Sequence, residues 1–163
     1  MVVDVLRRII QDNHPVARFV IRQIIMGLCL YVLDSDPGDD EEPEEIAECD
    51  IGHYSDFGCF RDTIARHLDS GSYPTLMQHS DCDGEWSLAE IPRLEQELRA
   101  IGVAFQKLPP SEPNGAFEHT AEYRAGAGSL YDCFHNVDGE NLFEAILELC
   151  GVAREHGRPI TFM

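Results

Sequence analysis

Pro74-Thr75-Leu76-Met77-Gln78-His79-Ser80-Asp81-Cys82-Asp83-Gly84-Glu85-Trp86-Ser87-Leu88-Ala89-Glu90 decides how the rest of the chain is read. Thr75 to Gln78 is a short apolar run and reads as a strand that feeds a polar loop. The loop in turn opens a long helix, whose start is marked by Ser87 and Glu90. Their S-x-x-E spacing is that of a capping box, in which the serine accepts from a first-turn amide and the glutamate reaches back to the cap. Between these fixed ends lie His79, Asp81, Asp83 and Glu85, with Trp86, the only tryptophan of the chain, beside them. Loops held by rigid elements are where function concentrates.

Outward from this stretch, apolar periodicity sets the elements. Ile91, Leu94, Leu98, Ile101, Phe105 and Leu108 recur at helical spacing, which predicts one helix through Gly102 that stops at Pro109-Pro110. Pro92 is acceptable in its first turns, where a missing amide is little needed. Upstream, Phe57, Phe60, Ile64 and Leu68 form the core stripe of a helix capped by Ser55 or Asp56, with Arg61, Asp62 and Arg66 facing away. Leu28 to Leu33 is apolar at every position and closes at Asp34-Ser35-Asp36-Pro37-Gly38, so it reads as a strand buried on both faces, central in a sheet. A second strand is expected at Ile46 to Ile51, turning at Gly52. Residues 109–128, rich in Pro, Gly and Ala, read as a variable surface insertion with at most a short helix near 117–124. A last helix carries Leu142, Phe143, Ile146, Leu149, Cys150 and Ala153, ends at Gly157, and leads to a terminal strand over 159–163. The alternation predicts an α/β or α+β fold, with about four strands in one sheet and three main helices packed on it.

The chain of 163 residues is the size of one domain. Its 30 acidic residues against 12 basic ones give a net charge of −18, a field that disfavours nucleic acid and anionic membrane and attracts basic partners or divalent cations. Charge is unevenly spread. Residues 1–25 hold Arg7, Arg8, Arg18 and Arg22 against Asp4 and Asp12, leaving them at +2 and the remainder at −20. The change in character just before Met26 suggests that 1–25 are an N-terminal extension upstream of a natural start at Met26, with 26–163 as the domain. The rival reading is an amphipathic helix interrupted at His14-Pro15. Arginines among the apolar residues leave no segment of secretory or membrane-spanning length. The six cysteines form no C-x-x-C pair and sit mostly among apolar neighbours, which fits reduced, buried thiols in the cytoplasm. Cys82, between two aspartates, is a poor nucleophile.

Two chemical readings of the central loop compete with a plain structural one. With His79 as position one, Asp81, Asp83, Gly84, Glu85, Ser87 and Glu90 fall at positions 3, 5, 6, 7, 9 and 12 of a calcium-loop window. Against a cation module centred on 79–90 stand the histidine as first ligand, the strand expected before it, and the capping role of Glu90. His79 with His53, Asp56 and the loop aspartates could form a small His/Asp hydrolase. No G-x-S-x-G elbow or H-E-x-x-H supports it, and no Gly-rich phosphate loop is present, so no enzyme and no cofactor are expected. The plain reading has the loop side chains satisfying backbone amides and Asp83-Gly84 and Asp138-Gly139 making turns.

A resemblance covers about residues 26–163. Met26-Gly27-Leu28-Cys29-Leu30-Tyr31-Val32-Leu33-Asp34, Tyr54-Ser55-Asp56-Phe57, Phe60-Arg61-Asp62-Thr63, Pro74-Thr75-Leu76-Met77, His79-Ser80-Asp81-Cys82-Asp83-Gly84-Glu85-Trp86-Ser87 and Arg158-Pro159-Ile160 together resemble the bacterial immunity protein 70 family. The resemblance implies a small intracellular protein that binds and neutralises a cognate toxin of a polymorphic toxin system, and it brings no catalytic residues. The acidic balance adds an expectation of its own: a basic toxin domain, such as a nuclease, steered by charge. On that expectation Asp39, Asp40, Glu41 and Glu42 attract at long range, while Asp81, Asp83, Glu85 and Trp86 make close contacts, tryptophan being a frequent interface anchor. The insertion at 109–128 is an equal candidate for the contact surface.

Overall fold

The computed structural model describes residues 27–35, 43–80, 83–111 and 126–163, and the statements below concern these. The acidic residues 39–42, Asp81, Cys82, the helix expected near 117–124 and the extension 1–25 lie outside them. Strand β1 (Gly27–Leu33) pairs antiparallel with β2 (Glu45–His53) on one side and with β4 (Ile160–Phe162) on the other, and β4 pairs with β3 (Glu85–Trp86). The sheet order is β2-β1-β4-β3, so the all-apolar strand is an inner one. Three main helices complete an α+β fold: α1 (Tyr54–His67), α3 (Ile91–Phe105) and α4 (Leu142–His156). A single turn, α2 (Pro74–Met77), joins them.

One core lies between the helices and one face of the sheet. Leu28, Leu30 and Val32 of β1 meet Phe57, Phe60 and Ile64 of α1, Leu94, Leu98 and Phe105 of α3, and Phe143 and Ile146 of α4. Phe60 presents its edge to Phe134 and Phe143, each with centroids 5.1 Å apart. Each such aromatic or aliphatic side chain contributes roughly 1.5–3 kcal/mol on burial. The helices therefore follow the apolar periodicity closely. Alternate β1 residues Cys29, Tyr31 and Leu33 point to the other face and form a separate buried cluster with Met163.

Helix ends show which local signals operate. Asn141 accepts from the amides of Phe143 and Glu144 at the start of α4, and Gly157 ends it in the left-handed region at φ 65°. The cap of α1 is His53 rather than Ser55 or Asp56. Its Nδ1 accepts from the Ser55 amide, while the Asp56 carboxylate accepts from the His53 amide at 2.8 Å. Histidine is not a common cap, but Gly52 at φ 109° brings the chain round so that the ring fills the role.

The strand expected at Thr75 to Gln78 is instead α2. Pro74 has its φ preset for the first helical position, and the amides of Thr75 and Leu76 donate to the carboxylate of Glu97 on α3, at 3.2 and 2.9 Å. The sheet takes Glu85–Trp86 in its place. After the central loop, α3 runs through Gly102 as expected, but it ends at Phe105 and tightens into a turn to Leu108 before Pro109.

Candidate functional site

The central loop is fastened from three directions. Arg61 on α1 donates from Nη1 to the His79 carbonyl at 2.9 Å and from Nη2 to the Met77 carbonyl at 2.7 Å, with its guanidinium 5.4 Å from the Phe57 ring centroid. Trp86 Nε1 donates to the Thr75 carbonyl at 3.1 Å. His79 stacks on Phe162 of β4 at 4.2 Å between centroids, and the Trp86 ring meets Phe162 edge-on at 4.6 Å. Arg61 and Phe162 carry no local sequence signal of this role, since their contacts lie far along the chain.

The His79 ring closes the loop on itself. Nδ1 lies 2.6 Å from the Ser80 carbonyl oxygen and Nε2 3.1 Å from that of Glu85. Both ring nitrogens thus face carbonyl oxygens of the loop itself. Gly84, at φ 93°, makes the turn beneath the ring in a region that side chains disfavour.

At the far end of the loop, Glu90 Oε2 accepts from the Ser87 amide at 2.9 Å and the Ser87 hydroxyl at 2.6 Å. Half of the expected capping box is thus present. The serine hydroxyl donates to the glutamate instead of accepting from an amide, because α3 begins at Ile91 and Ser87 sits one turn earlier. The hydrogen bonds from the Ser87 side chain and amide hold the Glu90 carboxyl below its usual range.

These positions bear differently on the earlier expectations. Asp83 and Glu85 are exposed at the loop surface and free of the core. Trp86 is wholly buried, 0 % exposed, so its side chain is a core element and gives a partner no contact area. The strand expected ahead of the calcium-like window is a helical turn, which removes that objection to a cation. Yet both His79 nitrogens face carbonyls and Glu90 is engaged by Ser87. Among the described residues no group of three or more His, Cys, Asp and Glu side chains is arranged to hold a metal ion. His53 and Asp56 are used in the α1 cap, Asp56 being 2 % exposed, and are not brought together with His79 as a catalytic set.

Among the described residues no helix is long and apolar enough to cross a membrane. The central loop presents Asp83 and Glu85 at its surface, over the ring contacts of His79, Trp86 and Phe162.

The model of a protein family described as Immunity protein 70 matches residues 44–162. The match spans β2 to β4 and includes the whole central loop, while β1 lies outside it. No curated protein and no solved structure matches the chain.

Proposed function

Since this chain belongs to the immunity protein 70 family, and its role is accordingly that of an immunity protein that binds a cognate toxin, we propose that it neutralises that toxin by stoichiometric binding through its acidic surface. The family match carries the reading. The net charge of −18 gives it a physical form: a basic toxin domain, of which a nuclease is the leading case, is attracted before contact and is then denied its anionic substrate.

Asp83 and Glu85 are the described side chains that best suit the close contact. They stand on a loop held by Arg61, Trp86 and His79, so little conformational entropy is lost when a partner orders them. Residues 39–42 add charge without requiring any defined geometry, and the binding needs no cofactor.

Toxin domains encoded beside this gene provide the test. Pull-down identifies the partner, and calorimetry of the pair at low and high salt measures the interaction. One-to-one binding that weakens on added salt and on Asp83→Lys with Glu85→Lys supports the reading. Tight binding indifferent to both substitutions places the contact elsewhere, with the 109–128 insertion next in line. Failure to bind any neighbouring toxin, together with a melting temperature that rises on adding calcium, overturns the immunity mechanism in favour of a cation module.

A further inference from the structure

Between the outward sides of α3 and α4 lies a groove of about 570 Å³. The two helices run antiparallel. Arg154 near the end of α4 pairs with Glu95 near the start of α3 at 3.3 Å, and Gly102, further along α3, faces Phe143 at the start of α4. Their inward stripes, Leu94, Leu98 and Phe105 on one and Ile146 and Leu149 on the other, go to the core. Part of what remains outside is apolar. Val103 is 52 % exposed, the most of any large apolar side chain among the described residues, and Leu147 across the groove is half-buried.

Tyr131 forms the floor. Its ring stacks on Phe143 with centroids 4.8 Å apart. Gly102 allows it to approach α3, since a Cβ there would come to 3.1 Å from the Tyr131 Cε2. The hydroxyl donates to Glu144 Oε1 at 3.2 Å. Burial, and after it the Glu144 charge, push that hydroxyl up to about 12, so at neutral pH it stays a donor and holds the carboxylate in place.

Charge decides between occupants. Glu144 and Glu148 are both exposed and stand one turn apart on α4, where like charges repel. A cation set between them relieves that repulsion. Among the residues lining the groove the single base is Arg99, on the α3 side. A second copy of the chain would bring another charge of −18 against the first. A small molecule would be enclosed on one side only, because the groove is open to solvent, whereas small-molecule sites bury most of their ligand. The surface fits a protein partner of basic and apolar character.

We propose that this groove takes a basic, amphipathic segment of the cognate toxin, one apolar side chain seated between Val103 and Leu147 over the Tyr131 ring and a lysine or arginine beside it reaching Glu144 and Glu148. The inference rests on the immunity reading and adds to it a second contact, on the helix side, besides that at Asp83 and Glu85.

Calorimetry tests this, with the toxin domain captured by pull-down titrated against the unaltered protein and its Val103→Gln, Glu148→Lys and Asp62→Lys variants. The first two substitutions fall on exposed helix positions and should leave the melting temperature of the free protein unchanged. Each is expected to weaken binding about tenfold, as the loss of an interface hot spot does. Asp62→Lys, the same change of charge on α1 outside the groove, should weaken it much less. Binding by the unaltered protein with both groove variants unimpaired overturns the proposal and leaves the immunity reading standing, whereas an unaltered protein that binds no toxin overturns both. Equal losses for Glu148→Lys and Asp62→Lys, with Val103→Gln unimpaired, would show diffuse attraction alone and overturn the groove. Sedimentation of the free protein reads the rival occupant: self-association abolished by Val103→Gln gives the groove to a second copy, against the proposal.

Discussion

Trp86 has the residue type of an interface anchor but is packed among His79, Phe57 and Phe162, so Trp86→Ala should be felt first as lost stability. Truncating a buried aromatic costs about 3–5 kcal/mol. Urea unfolding measures it, and an Ala variant of normal stability with weakened toxin binding would return the tryptophan to the interface. Glu97, which sequence reasoning passed over, is 5 % exposed and accepts from two backbone amides as well as from Arg93 Nε at 3.2 Å. Glu97→Gln removes one anionic acceptor and is expected to cost about 1–3 kcal/mol, with α2 the first part to lose amide protection in hydrogen exchange. Nothing local marks Glu97 as special, since its amide partners are 21 and 22 positions away. Its neighbours Ser87 and Glu90, by contrast, were legible from spacing alone. Because the Glu90 carboxyl is held low, its contribution to stability is fully present above the ordinary glutamate range and is lost as pH falls through the lowered value. Ser87→Ala should move the Glu90 titration, followed by NMR, upward toward the ordinary value; an unmoved titration would mean that the hydrogen bonds are not its cause.

The elements that were legible are those with enough residues to show a period. Stripes such as Phe57, Phe60 and Ile64, or Leu94, Leu98 and Ile101, run through whole helices, and all these residues are buried. Leu28 to Leu33 was legible for another reason: a strand with no polar face has to be an inner one. Short elements escaped. Four residues of α2 cannot separate a helical from a strand period, and the partner that satisfies its amides comes from another helix. Two residues of β3 have no pattern at all, and their pairing is supplied by β4 at the far end of the chain. In the central loop the charged residues Asp83 and Glu85 were legible as exposed, but not that the Trp86 side chain turns inward. The α1 cap gives the sharpest test at this scale. A Cβ on Gly52 would lie 2.8 Å from Asp56 Oδ2, at a φ of 109° that side chains avoid. Gly52→Ala therefore strains the backbone and displaces the capping carboxylate, with an expected loss on the order of 1–3 kcal/mol in chemical denaturation. Unchanged stability would show that the cap contributes little.

Over the whole molecule, burial and charge divide the work. Burial pushes the Cys49 and Cys150 thiols up to about 12, so at mildly alkaline pH both stay protonated, and their alkylation should wait for unfolding. Labelling of either as fast as a free thiol in the native protein would contradict the packing around them. Charge acts outward. On the proposal of a basic toxin, association should slow as salt screens the attraction, with dissociation changing less; stopped-flow mixing at several ionic strengths reads both rates. The central claim is that the protein works by occupying its toxin and not by chemistry on it. The measurement that bears on this most directly is a titration of the cognate toxin's own activity with increasing amounts of this protein, followed by mass analysis of both chains. The account predicts activity falling linearly to zero at one-to-one, with both masses unaltered. Inhibition complete at a small fraction of the toxin concentration, or a changed toxin mass, would mean turnover and contradict it.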